Sequence, residues 1–281
     1  MRIDDYYGYY EGKVKNNIPN GKGKYVGKSG YTYEGDFVNG KWEGYGVYFS
    51  SRGSKYIGEF KNGRWHGKGT LITRYGEFYQ GEFYDGEIDG EGTKIVYGKN
   101  GYIYKGHFMF GYCHGQAEIL YIDAEAYEKN PPLIENSEQL LKVGENLPIG
   151  DTYSGAFYFN ERRGNGVYVF KNCDIYEGKF EDDKFNGKGK YTFINGDVYE
   201  GDFKDGIRHG KGEFSFANGD KYIGGFENGE FCGSGKLVLK DGTSYDGTFK
   251  NGKLDGKVNV VLPDGINQKC VFENGELVGI L

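Results

Sequence analysis

Aromatic and charged residues alternate along short segments of this chain. In the segment YEGDF, Tyr33, Gly35 and Phe37 occupy every second position, and Glu34 and Asp36 lie between them. Alternate residues of a β-strand lie on the same face of a sheet. The pattern therefore predicts a half-buried strand with an aromatic face and a charged face.

A second apolar alternation follows each of these segments. Tyr191 and Phe193 are an example, and Leu237 and Leu239 are another. Asn-Gly or Asp-Gly pairs separate the two runs, as at 39–40, and further pairs follow the second run, as at 195–196. Such pairs supply the positive φ angles that tight hairpin turns need. We therefore predict that each unit is one β-hairpin and that further turns join consecutive hairpins.

The unit recurs every 23 residues over most of the chain. Numbered from its tyrosine, a repeat has Tyr at position 1, Phe at 5, and Gly at 3, 8, 12, 14 and 21. A lone hairpin is marginally stable in water, so the hairpins must stack on one another. The predicted fold class is all-β, an elongated and twisted antiparallel meander of tandem hairpins that forms a single-layer, solenoid-like ribbon. The full repeats begin at Tyr10, Tyr33, Tyr56, Tyr79, Tyr104, Tyr153, Tyr176, Tyr199, Tyr222 and Tyr245.

Composition narrows the class of protein. Glycine accounts for 51 of the 281 residues and aromatic residues for 17%, whereas disordered chains are poor in aromatic residues. The formal net charge of −6 argues against nucleic acid, which leaves a basic footprint on its partners. We expect no signal peptide and no membrane span, because no long apolar run occurs. The four cysteines lack metal-ligand spacing and are expected to be reduced thiols of a cytoplasmic protein.

The repeat unit resembles a known family. The segments YIGEFKNGRWHGKG (56–69) and YEGDFKDGIRHGKG (199–212) are similar to the MORN repeat, the membrane occupation and recognition nexus. The resemblance covers nearly all of the chain except about 123–150, and it implies an elongated single-sheet meander. MORN arrays occur in junctional membrane proteins, lipid kinases, cytoskeletal scaffolds and the radial spokes of cilia. Function transfers less securely than fold between such proteins.

The array is interrupted once. We predict an N-terminal array of five repeats at 1–122, an insertion at 123–150, and a C-terminal array of five repeats and a degraded terminal repeat at 151–281. The insertion is either a surface excursion or a docking loop or hinge. Ser137 is a candidate N-cap of a short helix through Leu141 and Val143.

Apolar side chains recur at position 10. They stand between the glycines at positions 8 and 12, and we expect them in the longer connection of each hairpin, gathered along one edge of the ribbon. They either fold over the core edge or form a rim that docks a partner. The candidate partner-binding residues are Trp42, Trp65, Ile88, Phe185, Phe231 and Leu254.

The C-terminal repeat is predicted to be an assembly edge. Gln268 and Cys270 replace its tyrosine and first glycine, and the end of a stacked array must be capped or paired. We expect this edge to pair with another chain, for example a second copy. The residues expected to form it are Val258, Val260, Leu262, Val271 and Phe272.

No motif points to catalysis. His66, His114 and His209 all occupy position 11, too far apart in the array to share a metal. The Gly-x-Gly steps precede strands, whereas a phosphate loop precedes a helix. We therefore expect no catalytic residue, metal or cofactor.

The expected function is a non-enzymatic scaffold that docks other proteins of a larger assembly along its trough. The expected location is the cytoplasm, in the cytoskeleton or the axoneme of a cilium with its radial spokes. The alternative is a peripheral membrane tether that binds anionic phospholipids. It is less favoured, because the 35 Lys and Arg residues are mixed with 41 acidic ones.

Overall fold

A computed structural model describes residues 1–132 and 147–281. Its 23 strands belong to one antiparallel sheet, which confirms the predicted meander of hairpin repeats. Its one described helix, α1, was not predicted. The strands are β1 (Arg2–Asp4), β2 (Gly8–Lys15), β3 (Ile18–Gly27), β4 (Thr32–Val38), β5 (Lys41–Phe49), β6 (Lys55–Lys61), β7 (Arg64–Ile72), β8 (Phe78–Tyr84), β9 (Glu87–Val96), β10 (Tyr102–Met109), β11 (Tyr112–Ile122), β12 (Ile149–Tyr158), β13 (Glu161–Val169), β14 (Ile175–Glu181), β15 (Lys184–Thr192), β16 (Val198–Lys204), β17 (Ile207–Ser215), β18 (Lys221–Glu227), β19 (Glu230–Val238), β20 (Ser244–Lys250), β21 (Lys253–Val261), β22 (Asn267–Glu273) and β23 (Glu276–Ile280), and α1 is Ala124–Lys129.

The chain forms two compact units. Unit 1 comprises Met1–Thr152 and Phe157–Asn160, and unit 2 comprises Tyr153–Ala156 and Glu161–Leu281. Within each unit the strands pair with their neighbours in sequence, as β4 does with β5 and β16 with β17. The proposed boundaries at 1–122, 123–150 and 151–281 stay predictions.

A two-residue turn closes each hairpin at positions 7 and 8. Asn228 and Gly229 have φ values of 51° and 86°, the left-handed pair that a type I′ turn requires. The Gly229 N–H also donates a hydrogen bond of 3.0 Å to the carbonyl of Arg208 in the preceding repeat. Each hairpin tip is thereby tied to the one before it.

The longer connection between hairpins lies around positions 19 to 22. In unit 2, carboxylates at position 22 accept backbone N–H bonds from the next such connection. Asp174 accepts from Ile194, and Asp197 from Ala217, each at 2.8 Å. These bonds link successive repeats along the edge opposite the hairpin tips.

The core depends on tyrosines packed over facing glycines. Gly201 pairs with Gly212 across β16 and β17, and the Tyr199 ring lies over both. A Cβ atom added to either glycine would come within 2.5 Å of the Tyr199 side chain. The ring therefore occupies the space that side chains would need. Nine position-1 tyrosines also donate their hydroxyl to the carbonyl three residues later: Tyr10, Tyr33, Tyr56, Tyr79, Tyr104, Tyr153, Tyr176, Tyr199 and Tyr222.

Phenylalanines at position 5 connect these tyrosines. The Tyr33 ring meets Phe37 of its own repeat and Phe60 of the next edge to face, at centroid distances of 5.2 and 4.8 Å. Edge-to-face contacts add stability beyond the buried area. The contacts continue from repeat to repeat, so each unit shares one aromatic core.

The tenth repeat departs from this arrangement. Val258 replaces the glycine at position 14 and is buried at 2% exposure. Tyr245 is only half-buried, and its hydroxyl has no hydrogen bond to any described residue. The valine fills the space that the tyrosine ring takes in the other repeats.

The base of the insertion packs within unit 1. The Asp123 carboxylate accepts N–H bonds from Glu125 and Ala126 and caps α1, and the Asp123 N–H donates to the Pro148 carbonyl at 2.8 Å. Leu147 joins an apolar cluster that includes Phe78. The helix expected from Ser137 lies outside the described residues. No helix in the described part of the chain is long and apolar enough to cross a membrane.

We predict that Gly201→Ala destabilises unit 2 by about 1–3 kcal/mol, because the new methyl group overpacks the tyrosine site. Gly279→Ala is the control, since Gly279 has open space around it and no positive φ, and its effect is expected within about 0.5 kcal/mol. Urea unfolding of the three proteins measures both changes. Equal effects would show that the tyrosine contact does not require glycine.

We also predict alkaline sensitivity. Burial raises the pKa of Tyr222 to about 12 and raises that of Tyr176 as well, whereas tyrosines of the unfolded chain ionise near pH 10. The unfolded state then binds fewer protons than the folded one, so the free energy of unfolding should fall as the pH rises from about 10 to 12. Urea midpoints across this range measure the slope. Tyr222→Phe should reduce the slope of the unfolding free energy against pH. An unchanged slope would show that the raised pKa of Tyr222 does not contribute to it.

Candidate functional site

The strands of unit 2 have two different faces. Positions 1 and 5 of the first strand of each hairpin, and positions 10, 16 and 18 of the second, form the aromatic face. Positions 2 and 4, and positions 11, 13 and 15, form the polar face. Register confirms the assignment, because Phe203 is opposite Arg208 and Glu200 is opposite Glu213.

An open groove of about 1620 Å³ lies on the polar face of unit 2. It crosses the strands from β14 to β19. Glycines at positions 3 and 14 face one another along it, as Gly178 does with Gly189 and Gly201 with Gly212. The groove was not predicted from the sequence, because no single repeat indicates it.

The groove walls carry both signs of charge. Lys188 pairs with Asp202 at 2.8 Å. Burial alone would raise the pKa of Asp202, but hydrogen bonds from Lys188 and the Lys211 N–H hold it below its ordinary value. The side chains of Lys190, Glu200 and Lys211 have no ion pair with any described residue. These three groups are available to a partner.

One end of the groove carries fewer charges than the other. In the ninth repeat, Gly225 stands at position 4, Cys232 at position 11 and Ser234 at position 13, where the eighth repeat has Asp202, His209 and Lys211. Ile223 at position 2 is 49% exposed and also lines the groove. The groove therefore passes from a section with several acidic and basic side chains to a section in which small and apolar residues lie beside Glu227.

The position-10 residues do not lie in the connections where they were expected. They are the second residues of strands, because the hairpin turn occupies only positions 7 and 8. Trp65 is opposite Phe60 and stacks on Tyr56 at 4.8 Å with an interplanar angle of 11°. Phe185 stacks on Tyr176 in the same way, at 3.7 Å. The predicted rim residues Trp42, Trp65, Ile88, Phe185, Phe231 and Leu254 are all half-buried on the aromatic face.

Two arginines share position 10 and were not singled out from the sequence. Arg162 lies 5.7 Å from the Tyr153 ring centre, and Arg208 lies 5.8 Å from that of Tyr199. Each guanidinium replaces the stacked aromatic ring of other repeats. Listing every residue at position 10, rather than only the apolar ones, would have identified both.

The predicted C-terminal assembly residues are not at the free edge. Val258, Val260 and Phe272 are at most 8% exposed and form an internal cluster, against which Leu262 packs. Val271 is half-buried in β22. The outermost strand is β23, which pairs with β22. Self-association stays a prediction, and these residues stabilise the last repeats.

The position-11 histidines His66, His114 and His209 lie in separate repeats on the polar face, and His107 shares the fifth repeat with His114. His66 and His209 are opposite Glu59 and Asp202, and His209 lines the groove. All four cysteines are free thiols, and burial raises the pKa of Cys113 to about 11.

Comparison with solved structures gives matches of low similarity. The TCP10 domain of Danio rerio CPAP, in complex with a peptide of Danio rerio STIL, is 10% identical with a TM-score of 0.45, over 85% of this chain and 94% of that chain. The SAS-4 (dCPAP) TCP domain, in complex with a proline-rich motif of Ana2 of Drosophila melanogaster, is 14% identical with a TM-score of 0.35, over 66% and 85%. Comparison with curated protein sequences gives no match.

The family comparison is decisive. The MORN repeat model matches ten segments in the order in which the hairpins occur. These are residues 10–30, 33–55, 56–73, 79–95, 104–123, 153–172, 176–198, 199–221, 222–244 and 245–257. The chain belongs to the MORN-repeat family.

Proposed function

We propose that this chain is a non-enzymatic docking protein whose unit 2 groove binds an extended segment of a partner protein. The observation that carries the proposal is the groove itself, an open channel across six strands that is walled by charged side chains. The partner belongs to a cytoskeletal or ciliary axonemal assembly in this proposal, a setting supported by the kinds of assembly in which MORN arrays occur.

The size of the groove suits an extended polypeptide. Six strands spaced about 4.8 Å apart span about 24 Å. An extended chain rises about 3.4 Å per residue, so about seven residues would fill this length. Interior strands have their backbone groups paired within the sheet, so side chains must supply the recognition rather than an added strand.

The charges of the groove favour a protein over an anionic membrane. Its lining contains four glutamates, Glu177, Glu200, Glu213 and Glu227, and three lysines, Lys188, Lys190 and Lys211. A membrane-binding surface would need an excess of basic residues. A mixed-charge segment can pair with Lys190, Glu200 and Lys211 together, and it can place an uncharged side chain beside Gly225 and Ser234.

We predict that Ser234→Trp blocks the groove. Peptides of about ten residues, longer than the groove requires, would be selected from a displayed library on the wild-type chain. Their affinities for purified variants would then be measured by fluorescence anisotropy. Binding should weaken by about tenfold or more in Ser234→Trp, because the indole fills the channel. Lys211→Glu should weaken the binding of those peptides that carry an acidic residue.

Ser51→Trp is the matched control, since Ser51 is exposed in unit 1 and its substitution leaves the groove unchanged. Equal binding to both tryptophan variants, or selection of no peptide, would refute docking in the groove. Flotation of the wild-type chain, but not of Ser234→Trp, with phosphatidylserine vesicles would assign the groove to lipid instead. Immunoprecipitation from axonemes tests the setting, and failure to recover a partner there would contradict it.

A further inference from the structure

Arg208 holds a half-buried positive charge on the aromatic face of unit 2. Its guanidinium carbon lies 5.0, 5.8 and 5.9 Å from the ring centres of Phe214, Tyr199 and Phe193. One nitrogen, Nη2, donates to the Gly229 carbonyl at 3.0 Å. The remaining N–H groups have no acceptor within the described residues.

The equivalent arginine of an earlier repeat pairs with a carboxylate, whereas Arg208 has no carboxylate partner among the described residues. Arg162 also occupies position 10, and its Nε donates to the Asp183 carboxylate at 2.9 Å. Asp183 stands at position 8 of the following repeat. The corresponding residue for Arg208 is Gly229, which has no side chain. The fold thus places a carboxylate against one position-10 arginine and only a backbone carbonyl against the other.

The surroundings of Arg208 make its charge costly without a counter-ion. Burial lowers the pKa of the guanidinium, and among the described residues the titratable groups that act on it are Tyr199 and Tyr191. Arginine nevertheless remains protonated in proteins. Stacking on aromatic rings offsets part of the lost hydration. The unused N–H groups match the two oxygens of a carboxylate.

We propose that the aromatic face around Arg208 is a second docking site, which binds a partner segment carrying a carboxylate side chain next to an aromatic one. The carboxylate pairs with the guanidinium as Asp183 does with Arg162. The neighbouring side chain packs on Phe216 and Phe231, which are half-buried beside Phe214. A carboxylate suits this apolar setting better than a phosphate, because a doubly charged group loses more hydration.

This site is independent of the groove. Arg208 and the groove residue His209 are consecutive on one strand and lie on opposite faces. A variant that blocks the groove therefore leaves the arginine site open, and either proposal can fail alone.

The test uses two defined probes, acetyl-Phe-Glu-Phe-amide and acetyl-Phe-Gln-Phe-amide, titrated into the full chain. The NMR signal of the Arg208 Nε–H group reports contact with the guanidinium, and neighbouring backbone signals report affinity in the variants. The glutamate probe should bind at least about threefold more tightly than the glutamine probe. The Nε–H signal should shift with the glutamate probe only.

Three variants separate charge from fold. Arg208→Phe keeps the stacked ring that Phe185 and Phe231 supply in other repeats, and it should abolish the preference for glutamate. Gly229→Asp supplies an internal carboxylate at a position with left-handed backbone, as Asp183 does in an earlier repeat. It should weaken the binding of the glutamate probe by about threefold or more. Lys204→Gln removes one exposed charge from the polar face and should leave the affinities for both probes unchanged.

Equal affinity for the two probes, or a glutamate preference that persists in Arg208→Phe, would overturn the proposal. Sedimentation velocity addresses a second copy of the chain as the occupant. A wild-type dimer that Arg208→Phe dissociates would show that the carboxylate comes from the same protein, and it would also overturn the proposal. Ser234→Trp should retain the glutamate preference, so loss of groove binding does not decide the outcome.

Discussion

In eight of the ten repeats the first tyrosine lies where two facing glycines have no side chains, and this contact constrains the array. It favours glycine at positions 3 and 14 for reasons of space, although the fifth repeat has Ala117 at position 14 and still buries Tyr104. It also specifies register, because a slip of one residue would move every tyrosine to the other face of the sheet. Val258 shows the consequence of a larger side chain at position 14, since Tyr245 beside it is no longer fully buried.

The hairpins, their turns and their aromatic core could be predicted from the sequence, because the period of 23 residues repeats each signal ten times. Position 10 was placed wrongly, since the glycines on both sides suggested a connection. In the structure Gly210 belongs to an irregularity within β17, with φ of 65°. The groove could not be predicted, because it depends on which glycines face each other across strands. The six-residue helix α1 was too short to give a periodic pattern.

The residues common to all repeats maintain the fold, and departures from them distinguish the surfaces. Gly225 and Ser234 remove charge from one end of the groove, whereas Arg208 introduces charge on the aromatic face. Successive side chains of a strand lie on opposite faces of the sheet, so these two kinds of change affect different surfaces. A substitution at an even position of the second strand of a hairpin changes the aromatic face, and one at an odd position changes the polar face. The proposed groove site and the proposed arginine site can therefore vary separately within one set of strands.

The bonds between hairpin tips have a consequence for how such a chain changes length. Gly229 bonds to the repeat before it just as Gly206 bonds to Phe185, so every junction is built from the same donors and acceptors. Unequal recombination that adds or deletes one complete unit therefore produces a junction that already fits. Loss of a fraction of a unit would instead place tyrosines against residues other than glycine. Evolution can thus adjust the reach of the array only in whole steps, each of which brings two further strands.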